Sequence, residues 1–458
     1  MLRGPWPRGR RVSITTRGKG ELPEVFYMLK QGEDFETLFV VNTSMKHEGN
    51  RPNECPRLPG RTAAYDKAVV TLKSDLGAAA KVYELNQETG VWTKLDKSVQ
   101  FSANGKLQIT ASLAVFQSRL YVITNQAIPN AVPETVEPEV IGVCELPHCC
   151  WEYQLDNPNA MVLDQAIYEV DGESDEQLHY ILKIDDAVRT KMGHRPRGGA
   201  MVQPWVDANR KPTKTVKLKL TYSFEVEALP PSESKLQLAL ERPDLYAITL
   251  NGKKVSNQAK GYWVDPAIQT VALKVADLKL GTNFLVLECD YHELLPGLES
   301  MYLLGEFGVK GARTMIALPE ELDLGDWCDQ GLPNYSGNVT YHVDFQLNKL
   351  KKGERVAVDF GKWAGALLGV RANGGELKLV GWAPYRVDIT DQLKTGVNCL
   401  ELVVFFSRRN VFGPFYDYEQ SPWWCGSEAF KHFQVCERHL VKGGLLTPPA
   451  LLRMKSNA

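Results

Sequence analysis

Apolar and polar residues alternate along most of the chain, in short runs that turn signals separate. The runs AAKVYEL and GVWTKL, for example, flank NQETG, which predicts a β-hairpin with Gly90 at its turn. Similar runs follow one another over residues 22–124, a pattern typical of an antiparallel sandwich. Helical signals are sparse, and only PEELDLGDW at 319–327 predicts a turn or two of helix. Because strands never alternate with long helices, the pattern excludes a doubly wound sheet and a TIM barrel and predicts an all-β fold.

The same order of strands and turns occurs twice in the C-terminal two-thirds of the chain. AITLNG at 247–252 precedes LGTNFLVLEC, and LGVRANG at 368–374 precedes TGVNCLELVVFF. Each Asn-Gly pair predicts a tight turn with positive φ angles. A spacing of about 120 residues exceeds the 20–50 residues of solenoid repeats, so we predict a duplicated domain. The residues predicted to correspond are Asn251 and Asn373, Gly252 and Gly374, Asp265 and Asp388, Gly281 and Gly396, and Asn283 and Asn398.

The length and the repeat together divide the chain into three units and a tail. At 458 residues the chain exceeds one ordinary hydrophobic core. Prolines within 125–142 resist both helix and central strand, which indicates a connection between domains. The predicted units are a β-sandwich at 1–135, a second sandwich at 136–311, a third sandwich at 312–445 and a tail at 446–458.

The composition is typical of a soluble globular protein, with 44% hydrophobic and 24% charged residues. A net charge of −2 provides no global field for nucleic acid or an anionic membrane, and we expect neither as a partner. The basic start MLRGPWPRGRRV is interpreted as a frayed terminus rather than a nucleic-acid arm. We find no signal peptide and no apolar run of the roughly 20 residues that a membrane span needs. As given, the chain is expected to stay in the cytoplasm, unless its true beginning lies upstream.

The nine cysteines are an odd number without a repeated spacing, which argues against a disulfide framework. The tightest group is CELPHCC, where Cys144, His148, Cys149 and Cys150 offer zinc-type ligands. The spacing matches no paired C-x-x-C pattern, and adjacent cysteines on a strand point to opposite faces. We therefore favour buried structural thiols over a metal site.

A family resemblance is strongest over residues 328–414. The runs DQGLPNYSGNVTYHVDFQL, VAVDFGKWAGALLGVRANG and WAPYRVDITDQLKTGVNCLELVV resemble the sugar-binding, galactose-binding-like jelly-roll of family 2 glycoside hydrolases. They are most similar to the form at the C-terminal end of large bacterial α-L-rhamnosidase-like enzymes. Residues 151–166 and 297–309 are similar to the sandwich before it, and the first unit resembles the domain that follows the catalytic barrel. The resemblance implies tandem sandwiches, of which the last two are galactose-binding-like jelly-rolls.

Enzymes of this group carry their catalytic carboxylates on a (β/α)₈ barrel placed before the sandwiches, and the sequence contains no such barrel. The resemblance implies a carbohydrate-binding, accessory portion of a glycoside hydrolase that is non-catalytic by itself. Two alternatives stay open. The chain is part of an active α-L-rhamnosidase-like glycosidase whose barrel lies upstream or in a partner chain, or it is a structural, adhesion-type array. The expected partners are carbohydrate and a catalytic barrel domain or subunit.

A sugar-binding surface needs aromatic faces for stacking and polar groups at the rim. The candidate carbohydrate-binding residues are Trp363, Trp382, Tyr385, Arg386, Asn410, Tyr416, Trp423 and Trp424. For Trp363 and Trp382, packing at the sandwich ends is the alternative. Tyr262 and Trp263 are the expected equivalent pair in the second unit. Gln330 and Tyr335 lie in a loop that faces the barrel in relatives, which implies an interdomain role.

Catalytic or metal-binding carboxylates are not evident from the sequence. Glycoside hydrolysis needs two carboxylates about 5–10 Å apart. Glu299 and Glu306 lie in apolar surroundings, but seven residues along a strand place them more than about 20 Å apart, so we predict structural roles. For a structural Ca²⁺, the conceivable donors are Asp326, Asp329 and Asp388. No D-x-D-x-D loop accompanies them, and we expect no cofactor and no metal.

Overall fold

The computed structural model places most of the chain in antiparallel β-sheets. The described residues are 10–16, 20–43, 63–77, 79–87, 89–102, 106–134, 138–197, 210–416, 430 and 437–455. Within these ranges, six sheets of four to eight strands pack in pairs around three hydrophobic cores. The predicted all-β fold of tandem antiparallel sandwiches is confirmed.

The first sandwich contains eleven strands among the described residues. They are β1 (Val12–Thr16), β2 (Gly20–Glu21), β3 (Val25–Gln31), β4 (Phe35–Asn42), β5 (Tyr65–Lys73), β6 (Lys81–Leu85), β7 (Trp92–Leu95), β8 (Val99–Phe101), β9 (Lys106–Leu113), β10 (Ser118–Thr124) and β11 (Val132–Pro133). The sheet orders are β2-β1-β5-β9-β8 and β11-β7-β6-β10-β4-β3. Alternate residues such as Leu38 and Val40 on β4 face the core, as the period of two predicts.

Two strands, β12 (Glu139–Glu145) and β13 (Glu152–Leu155), follow the first sandwich. The second sandwich then contains β14 (Asn159–Leu163), β15 (Gln165–Val170), β16 (Glu173–Tyr180), β17 (Thr215–Val226), β18 (Leu236–Glu241), β19 (Ala247–Leu250), β20 (Lys253–Val255), β21 (Tyr262–Trp263), β22 (Asp265–Leu273), β23 (Gly281–His292), β24 (Met301–Gly305), β25 (Gly308–Lys310) and β26 (Thr314–Ile316). One sheet has the order β14-β24-β18-β22-β21, and the other has β16-β15-β17-β23-β19-β20 with β26 and β25 beside β17.

The third sandwich uses β27 (Val339–Leu347), β28 (Glu354–Asp359), β29 (Trp363–Ala364), β30 (Leu367–Ala372), β31 (Lys378–Val380), β32 (Arg386–Asp388), β33 (Gly396–Phe405), β34 (Gly444–Leu445) and β35 (Ala450–Lys455). Its two sheets have the orders β12-β35-β28-β32 and β13-β27-β33-β30-β31, while β29 pairs with β34. The third sandwich therefore includes β12 and β13, and the whole second sandwich is inserted between β13 and β27.

This insertion differs from the unit boundaries predicted from the sequence. Residues 139–155 belong by strand pairing to the third sandwich rather than to a unit at 136–311. The predicted tail at 446–458 contains β35, which lies between β12 and β28 inside a sheet. Leu451 on this strand joins the core of the third sandwich, and burial of that apolar side chain stabilises the strand there.

Helices are few among the described residues. Helix α1 (Ile181–Lys191), which sequence analysis did not predict, buries Ile181, Ile184 and Val188 along one stripe. Helix α2 has a single turn, Arg409–Phe412. The 3₁₀ turns are Pro243–Leu245, Val275–Asp277, Trp327–Gln330 and Thr390–Gln392, so the helical turn predicted at 319–327 begins only at its last residue. No described helix has the length and apolar content that a membrane crossing requires.

The second sandwich contains a hydrogen-bonded pair of asparagines, one of them buried, that we call its amide clasp. Asn251 occupies the tight turn with φ of 51°, as predicted. Its Nδ2 donates to Asn283 Oδ1 at 2.8 Å and to the carbonyl of Asp277 at 2.9 Å. Asn283 Nδ2 donates in turn to the carbonyls of Lys279 and Gly281 at 2.7 and 2.8 Å. The clasp therefore ties the hairpin turn to the start of β23.

The third sandwich repeats the amide clasp atom for atom. Asn373, with φ of 53°, donates from Nδ2 to Asn398 Oδ1 at 2.8 Å and to the carbonyl of Gln392 at 2.9 Å. Asn398 Nδ2 donates to the carbonyls of Lys394 and Gly396 at 2.8 and 3.0 Å. Together with the shared strand order, the repeated clasp is what a duplicated domain would produce.

One predicted correspondence is wrong. Asp388 is the last residue of β32 and lies two residues before a 3₁₀ turn. The residue at the equivalent position in the second sandwich is Leu273, which ends β22 two residues before a 3₁₀ turn. Asp265 instead begins β22, after the β21–β22 hairpin. The third sandwich has no such hairpin among its described residues, so Asp265 and Asp388 are similar in sequence context alone.

Candidate functional site

Four of the predicted carbohydrate-binding residues belong to β29 and to the β31–β32 region of the third sandwich. The rings of Trp363 and Tyr385 meet edge to face, with centroids 5.1 Å apart, and both are half-buried against the core. Trp382 lies on the loop between β31 and β32 and is 58% exposed. Arg386 Nη2 donates to Asp359 Oδ2 at 2.7 Å. Trp363 and Tyr385 thus have packing roles, and Trp382 presents a free aromatic face.

Asn410 and Tyr416 do not join this surface, which corrects the prediction that they lie on an exposed loop. Asn410 is fully buried, where its Nδ2 donates to the carbonyl of Val441 at 2.8 Å and its Oδ1 accepts from the Val441 N–H. Tyr416 packs in the core of the second sandwich. Their polar atoms already have protein partners, so neither is available to a sugar. Trp423 and Trp424 lie outside the described residues.

Tyr416 belongs to a buried polar cluster that joins the second and third sandwiches. Its hydroxyl donates to Asp164 Oδ2 at 2.8 Å, and Arg438 pairs with Asp164 Oδ1. The side chains of Arg438 and Asp164 are only 7% and 1% exposed. Burial, reinforced by the Asp164 carboxylate, raises the pKa of Tyr416 to about 12. The guanidinium of Arg438 balances the charge of the buried Asp164 carboxylate. A balanced and hydrogen-bonded buried pair of this kind is typical of a structural contact.

Gln330 and Tyr335 have local partners in the described residues. Gln330 Nε2 donates to the carbonyl of Asp323 at 3.1 Å, and Gln330 Oε1 accepts from the Asp323 N–H. Tyr335 is buried, and its hydroxyl donates to Asp156 Oδ1 at 2.9 Å. Asp156 follows β13 and lies at the entry to the inserted second sandwich. A role for either residue against a catalytic barrel stays a prediction.

Two of the three aspartates considered as calcium donors, Asp326 and Asp388, accept hydrogen bonds from backbone N–H groups instead. Asp326 Oδ1 caps a 3₁₀ turn by accepting from the Cys328 N–H, and it also accepts from the Gly443 N–H. Asp388 Oδ1 accepts from the Thr390 N–H at 2.9 Å. Asp329 lies in the capped turn. The described residues do not gather these carboxylates into one three-ligand group.

The cysteines of CELPHCC are exposed, which corrects the prediction of buried structural thiols. Cys144, Cys149 and Cys150 are free and open to solvent. Cys150 has a φ of 60°, so it lies in the left-handed region rather than on a strand. The argument that adjacent cysteines point to opposite faces therefore does not apply to them.

A groove of about 840 Å³ lies where the second and third sandwiches meet. The segments 153–159 and 318–320 form one wall, and residues of β18, β21, β22 and 304–306 form the other. Tyr262, in the β21–β22 hairpin, is 63% exposed there, whereas its neighbour Trp263 packs inward against Tyr302. Burial raises the pKa of Tyr153 to about 12, and its hydroxyl donates to the carbonyl of Pro319 across the wall.

The rim of the groove carries polar side chains of several kinds. Their side chains make no hydrogen bond or ion pair with any other described residue, and so they stay available to a ligand. These residues are Lys235, Gln237, Lys260, Glu306 and Glu320. Two ammonium groups, two carboxylates and one amide can together donate to and accept from neighbouring hydroxyls.

Sequence reasoning missed the groove although it named three of its residues, Tyr262, Trp263 and Glu306. Tyr262 was expected to be the counterpart of the third-unit aromatics, but the β21–β22 hairpin that holds it has no counterpart there. Glu306 was considered only as a partner of Glu299. The structure places β24 between these two glutamates and leaves both exposed. The groove itself depends on how the inserted sandwich lies against the third, which no local pattern encodes.

Comparisons with known proteins give a coarse relationship. No family model matches the chain. A protein of Formosa agariphila named "Putative beta-glucuronidase" is 26% identical over 200 residues, covering 42% of this chain and 16% of that protein. The solved rhamnosidase from Novosphingobium sp. PP1Y aligns over 97% of this chain and 25% of its own, with 14% identity and a TM-score of 0.40.

A second solved structure, the α-L-rhamnosidase of Streptomyces avermitilis with L-rhamnose, covers 70% of this chain and 39% of its own. Its identity is 12% and its TM-score 0.17. Scores this low carry no information about individual residues. The chain spans a small part of the length of all three proteins. The sequence match therefore relates 42% of this chain to a small part of a protein named "Putative beta-glucuronidase".

Proposed function

We propose that this chain is a carbohydrate-binding, accessory portion of a glycoside hydrolase and is non-catalytic by itself. The observation that carries the proposal is the groove beside Tyr262, where an exposed aromatic face stands among polar side chains without protein partners. Sugar rings present C–H patches that stack on aromatic faces and hydroxyls that bind rim groups, so the groove suits this class of ligand. The finer similarity, to galactose-binding-like jelly-rolls, belongs to the same proposal.

The accessory role is supported by the architecture of the described residues. They contain no helix-wrapped parallel barrel, because parallel pairing is confined to two short contacts, β7 with β11 and β17 with β26. The chain also covers only 16% of its curated relative, which leaves room there for a separate catalytic part. The alternative that this chain works within an active glycosidase, with a barrel upstream or in a partner chain, is compatible with the same two facts.

The loop around Trp382 is the second candidate surface within the same function. Its ring is nearly as exposed as that of Tyr262, at 58% against 63%. The guanidinium of Arg386 nearby is engaged by Asp359, so fewer free polar groups surround this loop. We therefore place the principal site at Tyr262 and a subsidiary one at Trp382.

The test is a glycan-array screen of the purified chain, followed by affinity measurements with the glycan that binds best. We expect Tyr262→Ala to weaken binding about tenfold, because a stacked aromatic face contributes about 1.4 kcal/mol or more. Phe26→Ala is the matched control, since Phe26 is 61% exposed on the first sandwich, and it should bind as wild type does.

Three outcomes would contradict the proposal in different ways. Wild type that binds no glycan favours a structural array. A loss of binding in Trp382→Ala but not in Tyr262→Ala moves the principal site to the third sandwich. Hydrolysis of aryl glycosides by the purified chain rejects the non-catalytic role.

A further inference from the structure

The segment that returns from the inserted second sandwich touches the segment that joins β12 to β13 in the third. Trp151, just before β13, exchanges backbone hydrogen bonds of 2.9 and 3.0 Å with Leu322, which lies on the returning segment. Residues on either side of this bridge face one another across the two segments. We call this place the neck. It is separate from the groove residues and from the Trp382 loop.

The neck brings two thiols and a carboxylate together on the surface. Cys150 precedes Trp151 on the β12–β13 segment, and Asp323 follows Leu322 on the returning segment. The Cys150 N–H donates to Asp323 Oδ1 at 2.9 Å, which fixes the carboxylate beside the cysteine. The Sγ atoms of Cys149 and Cys150 and a carboxylate oxygen of Asp323 all lie within 4.8 Å of one another.

The left-handed backbone of Cys150 accounts for this convergence. With φ of 60°, the chain turns between Cys149 and Cys150 instead of extending. This is an uncommon conformation for a residue other than glycine, asparagine or aspartate. Both cysteines are free, so neither thiol is committed to a disulfide.

We propose that Cys149, Cys150 and Asp323 form a zinc-binding site at the neck. Two thiolates and one carboxylate are ligand types that Zn²⁺ takes, with Zn–S near 2.3 Å and Zn–O near 2.0–2.2 Å, and water or a further side chain would fill the fourth position. All three gathered side chains are exposed, so small rotations bring their donor atoms to these distances without repacking a core. Bound zinc would cross-link the β12–β13 segment of the third sandwich to the segment that returns from the insertion.

The experiment uses the full chain, reduced and stripped of metal, and titrates it with ZnCl₂ against a chromophoric chelator. We expect one zinc per chain. Cys149→Ser and Cys150→Ser should each weaken binding more than about tenfold, since even the partners that orient ligands contribute 10–100-fold. Cys144→Ser is the matched control because Cys144 is exposed on the same segment but outside the cluster, and it should bind as wild type does.

Co²⁺ provides an independent readout. Cobalt bound by thiolates gives a sulfur-to-metal charge-transfer band, and this band should appear in wild type and in Cys144→Ser and disappear in the Cys149→Ser, Cys150→Ser double variant. The proposal is overturned if the reduced chain binds no stoichiometric zinc. It also fails if the double variant binds zinc as tightly as wild type, or if Cys149 and Cys150 form a disulfide that persists under reducing conditions.

Discussion

The second and third sandwiches share a buried framework and differ in the loops that leave it. Each has its amide clasp, with Asn283 or Asn398 fully buried and bonded to equivalent backbone groups. Before β22 the second sandwich adds the hairpin that exposes Tyr262 and forms one wall of the groove. Before β32 the third has a loop whose Tyr385 packs inward on Trp363. Buried amides with four partners tolerate little change, whereas surface loops are free to acquire binding functions.

The largest expected effect on the free energy of unfolding comes from weakening the buried contact between the two sandwiches. Arg438→Met should lower the free energy of unfolding by about 3–5 kcal/mol, because it leaves the Asp164 carboxylate buried without its cation. Urea denaturation measures the loss. Arg371→Met is the control, since its pair with Glu401 lies at the surface and contributes about 0–1 kcal/mol. Equal losses in the two variants would show that the Asp164 cluster is not what joins the sandwiches.

Variants of the two amide clasps test directly whether the second and third sandwiches depend on the same buried framework. Asn283→Ala and Asn398→Ala each remove four buried hydrogen bonds, so each should cost about 2–4 kcal/mol within its own sandwich. Hydrogen exchange should lose protection over 279–284 in the first variant and over 394–399 in the second.

If the Asn→Ala substitution lowers stability in only one sandwich, the two clasps are not equivalent. Asn257→Ala serves as the control, because Asn257 makes a single side-chain bond, to the carbonyl of Tyr246 at 3.0 Å. Its cost should be about 1 kcal/mol. A similar cost for Asn257→Ala and Asn283→Ala would mean that the clasp network adds nothing beyond single bonds.

The smallest expected effects are on thermal stability and depend on pH. They come from one glutamate in each sandwich, and the two glutamates act in opposite directions. The Lys351 N–H and Arg453 hold the pKa of Glu354 below its usual value, so its contribution to stability is present at neutral pH and is lost as the pH falls through that lowered pKa. Burial, with repulsion from Asp265, raises the pKa of Glu241, so ionisation at neutral pH costs stability.

Glu354→Gln should therefore lower Tm at neutral pH, and Glu241→Gln should raise it. The Glu241 difference should vanish in acid below the usual carboxyl pKa, and the Glu354 difference only below the lowered pKa of that carboxyl, because each wild-type glutamate is then protonated in both the folded and the unfolded state. Thermal melts at neutral and acidic pH measure both variants. Shifts of the same sign would contradict the assigned environments of the two glutamates.

The sequence predicted those parts of the fold that local patterns encode. Alternation gave the antiparallel strands, and the Asn-Gly pairs gave turns in which Asn251 and Asn373 have positive φ. The repeat behind the predicted duplication was also visible, because Gly281/Asn283 and Gly396/Asn398 keep their spacing. What the sequence did not reveal is that the asparagine two residues after each glycine reaches back to the turn asparagine, a contact between residues about 25 to 32 positions apart.

The insertion and the candidate sites depend on long-range arrangement, and here the predictions fell short. Strand pairing between β12 and β35 joins residues about 300 positions apart, and no local signal links them. Tyr416 was expected on a loop because its neighbours are aromatic and polar, yet it is bonded to Asp164 inside the protein. The thiols of CELPHCC were judged on strand geometry, which a single left-handed residue, Cys150, removes.

The central position of β35 has a consequence for synthesis on the ribosome. All strands of the second sandwich emerge before residue 317, so this part of the nascent chain can fold while translation continues. β12 and β13 emerge earlier still, yet β12 must wait for β35, about 300 residues later. Until then the edge of β12 stays unpaired, and an unpaired strand edge in a nascent chain promotes association with other chains.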